Sequence, residues 1–415
     1  MAALKNEHCC RFCGAPLNHT FVDLGMSPLC ESYLSEENLH SHEAFYPLNP
    51  KVCHECFLVQ IEEYVGAIDI YREYAYFSSY SDSWLKHASD FVDMIIDRLE
   101  LTADKFVVEL ASNDGYLLRN FVRKGIPCLG VEPAANVAKV ADANGVPSIV
   151  RFFGRQVAQE MAADGPRADL IVANNVLAHV PDLHDFVEGI KILLHPRGTA
   201  TLEFPHLLRL MEDNQYDTIY HEHFSYLSWT VVEKIFKVHG LRMFDVEKLA
   251  THGGSIRIYA CHIDHPGNQT TDSAVEIREQ ELAAGLNRIE TYSAFEEKVK
   301  ESKRALLSFL IEAKRSGKTI AGYGAPGKGN TLLNYCGIRS DFLDFTVDRN
   351  PYKQGKYLPG THIPIYPVER IDEMKPDYVL ILPWNLQEEV TKQMNHIRNW
   401  GGRFVVPIPK VKVLG

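Results

Sequence analysis

The residues best suited to chemistry fall into a few groups along a chain of 415 residues. Cys10-Arg-Phe-Cys13 and Cys53-His-Glu-Cys56 are two Cys-x-x-Cys knuckles, each setting two thiols on one tight turn. Together they can close a tetrahedral thiolate shell around Zn²⁺, leaving no position open for substrate. The 39 residues between the knuckles exceed the usual ribbon spacing, so that segment is expected to fold as a small insertion. Unrelated surface thiols and a redox pair are the other readings. Cys9 can compete with Cys10 as a ligand, but only Cys10 keeps the regular register. A closed site of this kind staples a module, so the reaction belongs elsewhere.

A first nucleoside-type turn follows the apolar run Phe106-Val-Val-Glu-Leu110. It reads Glu109-Leu-Ala-Ser-Asn113-Asp114-Gly115, with Glu132 at the end of the next apolar run, 23 residues beyond Glu109. A carboxylate there is placed to hold both hydroxyls of a ribose. Ala111 and Asn113 stand at glycine-type positions, so a full Gly-x-Gly-x-x-Gly is missing. A pyrophosphate needs close approach to bare backbone, so this turn suits a nucleoside without phosphates. S-adenosylmethionine is such a ligand, and the acidic turn complements its positive charge. Helix capping by the same carboxylates is the plainer reading.

Tyr220-His221-Glu222-His223 gathers two imidazoles, a carboxyl and a phenol in one tetrapeptide. Such a set can remove a proton near neutral pH and hydrogen-bond the oxyanion that results. A structural polar cluster is the alternative. A second metal is another, although His221 and His223 share a face only if the segment is extended. His179, after Asn174-Asn175, lies at the end of another apolar run; taken alone, such a histidine is more often a satisfied structural one. His252-Gly253-Gly254-Ser255, with Arg257, can touch substrate or be a plain turn.

A second turn, Gly322-Tyr-Gly324-Ala-Pro-Gly327, carries the whole dinucleotide fingerprint, with Asp348 ending the following strand. A nicotinamide-dependent oxidoreductase is therefore a serious alternative. The pattern is a weak signal alone, and Lys328 suggests instead a phosphate-binding turn facing a diphosphate. A purely structural turn is the other reading.

These groups need scaffolds. Residues 1–70 form the cysteine module, and a tyrosine- and serine-rich stretch over 71–80 suits packing between domains. A helix is expected over Trp84–Leu99. Strands are expected at Phe106–Leu110, Cys128–Val131, Ser148–Val150, Ala168–Ala173 and Thr199–Leu202, with a helix over Leu183–Leu194 before the last. That alternation predicts a doubly wound parallel sheet whose ligands bind beyond the carboxyl ends of its strands. Met243–Val246 and Ser255–Ala260 read as a closing antiparallel pair. The unit thus spans 71–265, one or two connecting helices fill 266–317, and a second α/β domain occupies 318–415.

Taken in order, the two knuckles, Glu109 to Gly115, Asn174-Asn-Val-Leu-Ala-His179, Tyr220-His-Glu-His223-Phe and His252-Gly-Gly254 resemble the S-adenosylmethionine-dependent C-methyltransferases of deoxysugar biosynthesis. The resemblance spans essentially the whole chain. It implies a four-cysteine zinc module, a class I methyltransferase-like doubly wound α/β sheet and a C-terminal Rossmann-like domain. It also implies methylation of C3, or less readily C5, of a nucleotide-linked 4-keto-6-deoxy sugar, with dTDP ahead of GDP as the nucleotide. His223 matches the family's general base, Glu222 a group that orients or tunes it, and Tyr220 and His179 further active-site positions. Tyr74 matches a tyrosine reaching over the cofactor. Glu109, Asn113, Asp114, Gly115, Glu132, Asn174 and Asn175 are expected at the cofactor, and Tyr76, His252 and Lys328 at the substrate. Ala111 departs from the family's glycine.

Composition sets the outer bounds. A formal net charge of −11 argues against a general nucleic-acid binder. No apolar run reaches the ~18 residues of a membrane span, and the first residues lack a signal-peptide core. Nine cysteines, four of them in knuckles, fit a reducing, cytoplasmic setting better than a disulfide framework. A non-catalytic binding protein on the same fold is the third class to consider.

Overall fold

The alternating apolar runs assemble into two sheets, each with strands ordered about a switch point. In this computed structural model residues 9–66 and 77–415 are described. Tyr74 and Tyr76, together with most of the tyrosine-rich stretch, lie outside the described residues.

The first sheet contains β1 (Val107–Leu110), β2 (Cys128–Val131), β3 (Ser148–Ile149), β4 (Ala168–Asn174), β5 (Leu194–Pro205), β6 (Leu241–Leu249) and β7 (Ser255–His262). Its spatial order is β6-β7-β5-β4-β1-β2-β3. The β1–β5 ladder is parallel, and β7 enters antiparallel between β5 and β6. All four residues of β1 are buried, as the continuous apolar pattern of a two-sided parallel sheet requires. The order reverses between β1 and β4, so the crevice opens where Glu109–Gly115 and Asn174–Asn175 end. This is the class I methyltransferase fold.

Helix α1 (Asp82–Leu99) closes one face of that sheet. The Ser81 hydroxyl caps it by accepting from the Trp84 amide, and Glu100 ends it in a left-handed conformation. Ala88, Phe91, Val92 and Ile95 form the buried stripe at helical spacing.

Three helices, not one or two, connect the sheets: α2 (Asp272–Ala283), a short turn of helix at Ile289–Ser293, and α3 (Phe295–Arg315). Val299, Leu306, Leu310 and Ala313 of α3 are buried at helical spacing. The buried Glu281 of α2 accepts from the Trp229 and Thr230 amides and pairs with His206 at 2.7 Å. That carboxylate caps the helix Trp229–Val238 and pins α2 to the methyltransferase unit.

The second sheet contains β8 (Ile320–Tyr323), β9 (Thr346–Val347), β10 (Ile365–Tyr366), β11 (Tyr378–Ile381), β12 (Arg403–Val406) and β13 (Lys412–Leu414), in the order β10-β9-β8-β11-β12-β13. Helix α4 (Gly327–Cys336) follows its glycine turn.

The cysteine module is not self-contained. Its strands His19–Thr20, Lys51–Val52 and Val59–Gln60 are completed by Ser225–Tyr226, two residues past His223. The module also contributes to two cores. Cys10, Cys53 and Cys56 pack with the methyltransferase sheet, whereas Phe21, Leu48 and Val59 pack with α3 and the second sheet. No helix of the described residues is long and apolar enough to cross a membrane.

Candidate active site

At the end of β1 the chain takes left-handed turns at Ala111 (φ 53°), Asn113 (φ 51°) and Gly115 (φ 76°). A Cβ on Gly115 would stand 2.9 Å from Val146, so only glycine fits there without displacing that side chain. The Glu132 carboxylate fixes the turn by accepting from the Asn113 amide at 2.9 Å and the Ala134 amide at 2.8 Å. Asn113 and Asp114 in turn accept from the Ser78 and Ser79 amides. Burial raises the Glu109 carboxyl well above the usual range, opposed by a bond from Tyr116; burial likewise raises Glu132. Glu109 Oε2, Asp114 Oδ1, Asn174 Oδ1 and Asn175 Oδ1 are buried with no partner among the described residues. Unpaired acceptors at such depth are costly unless a ligand donates to them. A cationic nucleoside with ribose hydroxyls and an ammonium group supplies those donors, so the residues fit S-adenosylmethionine.

The Tyr220–His223 segment folds as a turn, closed by the His223 amide donating to the Tyr220 carbonyl. Its two histidines therefore diverge. His221 faces the cysteine module, bonding the Pro47 carbonyl at 3.2 Å and lying edge-on to Tyr46. A second metal at the tetrapeptide is thus not formed: among the described residues, only the four cysteines cluster as potential ligands. His223 turns inward, with His179 at 4.6 Å and Tyr220 at 4.0 Å between ring centroids.

Nδ1 of His223 lies 2.9 Å from the Thr218 carbonyl, which can only accept. That bond puts the proton of the neutral ring on Nδ1 and leaves Nε2 as a lone-pair base. Burial, with His179 nearby, holds His223 well below its ordinary pKa, and burial brings His179 and His252 to about 4. His223 is thus neutral, and able to accept a proton, at physiological pH.

The expectation that Glu222 orients His223 does not hold. The Glu222 carboxylate accepts from the Cys30 thiol at 3.2 Å, and burial raises it to about 7. The Thr218 carbonyl does the orienting, and Glu222 instead offers its backbone to His179. Arg257 is not free for substrate either: it bonds Glu203 at 3.1 Å and Glu247 at 2.8 Å. Glu203 also holds His87 and Thr251, so this network anchors the turn that carries His252. Trp84 lies edge-on to His252 and stacks on Tyr116, joining that turn to the donor pocket.

The second turn is filled by the protein itself. Asp348 accepts from the Ala325 amide at 2.7 Å and the Asn350 amide at 2.8 Å. Cys30 and Glu31 of the cysteine module lie against Gly327, where a Cβ would come within 2.6 Å of the Cys30 sulfur. Tyr33 and Lys353 both donate to the Ala325 carbonyl, and Asn330 of α4 donates to the Cys30 carbonyl. Side chains of the cysteine module thus occupy the place a pyrophosphate would take at this helix N-terminus, which counts against the oxidoreductase reading. Lys328 follows Gly327 on the same helix. Its ammonium bonds Asn385 at 2.8 Å and sits over the Trp384 ring, on the side of His223 and His252.

The Sγ atoms of Cys10, Cys13, Cys53 and Cys56 all lie within 4.8 Å of one another. A tetrahedral zinc with Zn–S bonds of ~2.3 Å sets its sulfurs ~3.8 Å apart, so the cluster fits that ion. Gln60 donates to Cys10 at 3.1 Å and pairs across the sheet with Ser225. This puts the cysteine cluster two strands from the Tyr220–His223 segment. Cys30, Glu203, His87, Asp217 and Trp384 escaped the sequence reading. Asp217 alone carried a hint, standing three residues before Tyr220.

Three family models match consecutive stretches: "Putative zinc binding domain" over residues 10–71, "Methyltransferase domain" over 84–246 and "C-methyltransferase C-terminal domain" over 250–409. C-methyltransferase NovU of Streptomyces niveus is 36% identical over 410 residues, 98% of this chain and 96% of that one. Ubiquinone biosynthesis O-methyltransferase of Azorhizobium caulinodans matches at 30% over 93 residues, 22% of this chain and 37% of its own. The PH0226 protein of Pyrococcus horikoshii is a slight structural likeness, with a TM-score of 0.38, 15% identity, and coverage of 47% and 98%. The whole-length match and the ordered site together show that the chain belongs to the family of NovU, the S-adenosylmethionine-dependent C-methyltransferases with an N-terminal zinc module.

Proposed function

We propose that this enzyme methylates the ring carbon next to the keto group of a nucleotide-linked 4-keto-6-deoxy sugar, C3 before C5, in the cytoplasm. The observation that carries the reading is the His223 ring: its Nδ1 is committed to the Thr218 carbonyl, and its Nε2 is a neutral base. Carbon attacks an alkylating agent only after losing a proton, and a ketone next to that C–H makes the loss accessible. The resemblance of the ordered motifs to deoxysugar enzymes supports a keto sugar, with dTDP ahead of GDP as its nucleotide.

S-adenosylmethionine, when bound, supplies an electrophilic methyl group. Glu109, Asn113, Asp114, Gly115, Glu132, Asn174 and Asn175 hold it at the ends of β1, β2 and β4. His223 takes the proton at Nε2, while Tyr220 and His179 flank the ring and fix its plane. His252 and Lys328 face the sugar, and the resemblance assigns Tyr74 to the cofactor and Tyr76 to the substrate.

His223→Ala is expected to bind donor and sugar nucleotide normally and to lose ~10²–10⁴ in turnover, the range for a lost general base. Proton removal is measured separately by deuterium exchange at the acidic carbon in D₂O without the donor. Wild type exchanges and the variant does not. Full exchange in His223→Ala would move the role to His179 or Tyr220.

A further inference from the structure

The C-terminal domain does more than cover the methyltransferase unit. Asp217 is fully buried on the turn Tyr216–Thr218, the same turn whose Thr218 carbonyl orients His223. Its Oδ2 accepts from the Trp384 indole at 2.7 Å, and its Oδ1 has no hydrogen-bond partner among the described residues. The Lys328 ammonium lies 4.9 Å from the centre of that indole and donates to Asn385 beside it. Gly253, next to His252, abuts the same ring, where a Cβ would stand 2.6 Å from it. Two residues of the C-terminal domain therefore meet the histidine cluster, and one is a cation. Burial works against the charge on Lys328 and Asp217 works for it. Lys328, His179, His223 and His252 are each half-buried.

We propose that Lys328 is the cation that stabilises the enolate oxygen formed when His223 removes the proton, with Asp217 as the residue that positions it. The step balances within the site. The C–H bond breaks and its electron pair forms the C=C bond of the enolate as the carbonyl π pair moves onto oxygen; the proton goes to Nε2 of His223, and Lys328 keeps its own proton throughout. A fixed ammonium in a partly desolvated site favours that developing charge far more than water does. The diphosphate is the other anion Lys328 can meet. The helix N-terminus that would share such a group is occupied by Cys30 and Glu31, which favours the enolate. The inference rests on the reading of His223 as the base.

The test uses the zinc-loaded full chain and a dTDP-linked 4-keto-6-deoxyhexose in D₂O, without methyl donor. Lys328→Met is expected to slow exchange at the acidic carbon by ~10²–10³, the scale for losing an oxyanion donor, with the Kd for the sugar nucleotide shifted less than about threefold. Lys328→Arg, which keeps the charge, recovers about tenfold of that loss. Asp217→Asn lowers kcat about tenfold and leaves KM unchanged, as a positioning role requires. A weakened Kd with exchange intact places Lys328 on the diphosphate and overturns the proposal. Wild-type exchange in Lys328→Met overturns it too. If Lys328→Met does not fold, unchanged exchange in both Lys328→Arg and Asp217→Asn has the same force. Absent exchange in wild type refutes the His223 reading itself, so the two failures are distinct.

Discussion

The two glycine turns use one device for different ends. In each, the carboxylate ending the second strand accepts from a backbone amide of the first turn: Glu132 from Asn113, Asp348 from Ala325. Each then accepts from a second amide two residues beyond itself, Ala134 or Asn350. The difference is what lies above the turn. The first leaves Glu109, Asp114, Asn174 and Asn175 with buried unpaired oxygens, an open demand for a ligand. The second, which matches the dinucleotide fingerprint better, is packed with Cys30, Glu31 and Tyr33. A fingerprint specifies a backbone shape that can hold phosphate; whether phosphate reaches it depends on side chains from elsewhere.

The largest effect should come from removing what fills the second turn. Cys53→Ser breaks the zinc shell and, because structural zinc binding is coupled to folding, costs on the order of several kcal/mol. Metal analysis should show zinc lost and the protein aggregating or melting far below wild type. Well-folded protein purified without zinc would show that the module holds its place unaided.

Next in size is the contrast between the carboxylates. Glu132→Ala is expected to weaken S-adenosylmethionine binding ~10–100-fold, the scale of charge-assisted hydrogen bonds. Asp348→Ala should leave it within about twofold, and calorimetry with NAD⁺ should show no binding to either protein. NAD⁺ affinity lost at Asp348 would reverse the assignment of the two turns.

The smallest effect is in pH. Glu109 and Glu132 are both raised by burial, so the folded chain holds their protons at a pH where the unfolded chain has released them. Their contribution to stability is therefore present at low pH and lost as pH rises through the raised values. A cationic donor favours the ionised forms, so binding should release protons and tighten as pH rises through the raised values, by roughly tenfold at most. Calorimetry in buffers of different ionisation heat measures that release. Affinity that is flat, or that falls with pH, would mean these carboxylates do not face the donor's charge.

Several features were legible in the chain itself because they depend on neighbours in sequence. The Cys-x-x-Cys spacing picked out the four cysteines that cluster, and the apolar periods placed β1, β2, β4 and α1 within a residue or two. The order of short motifs marked Glu109–Gly115 and His223 as candidate site residues. Tertiary structure decided what each group touches. Glu222 meets Cys30 across 192 residues, Trp384 meets Asp217 across 167, and Asn330 meets Cys30 across 300. No local period encodes such pairs, since they exist only once three parts of the chain have packed together. That packing committed Nδ1 of His223 to Thr218, turned Lys328 toward the histidines, and closed the turn that resembled a dinucleotide site most.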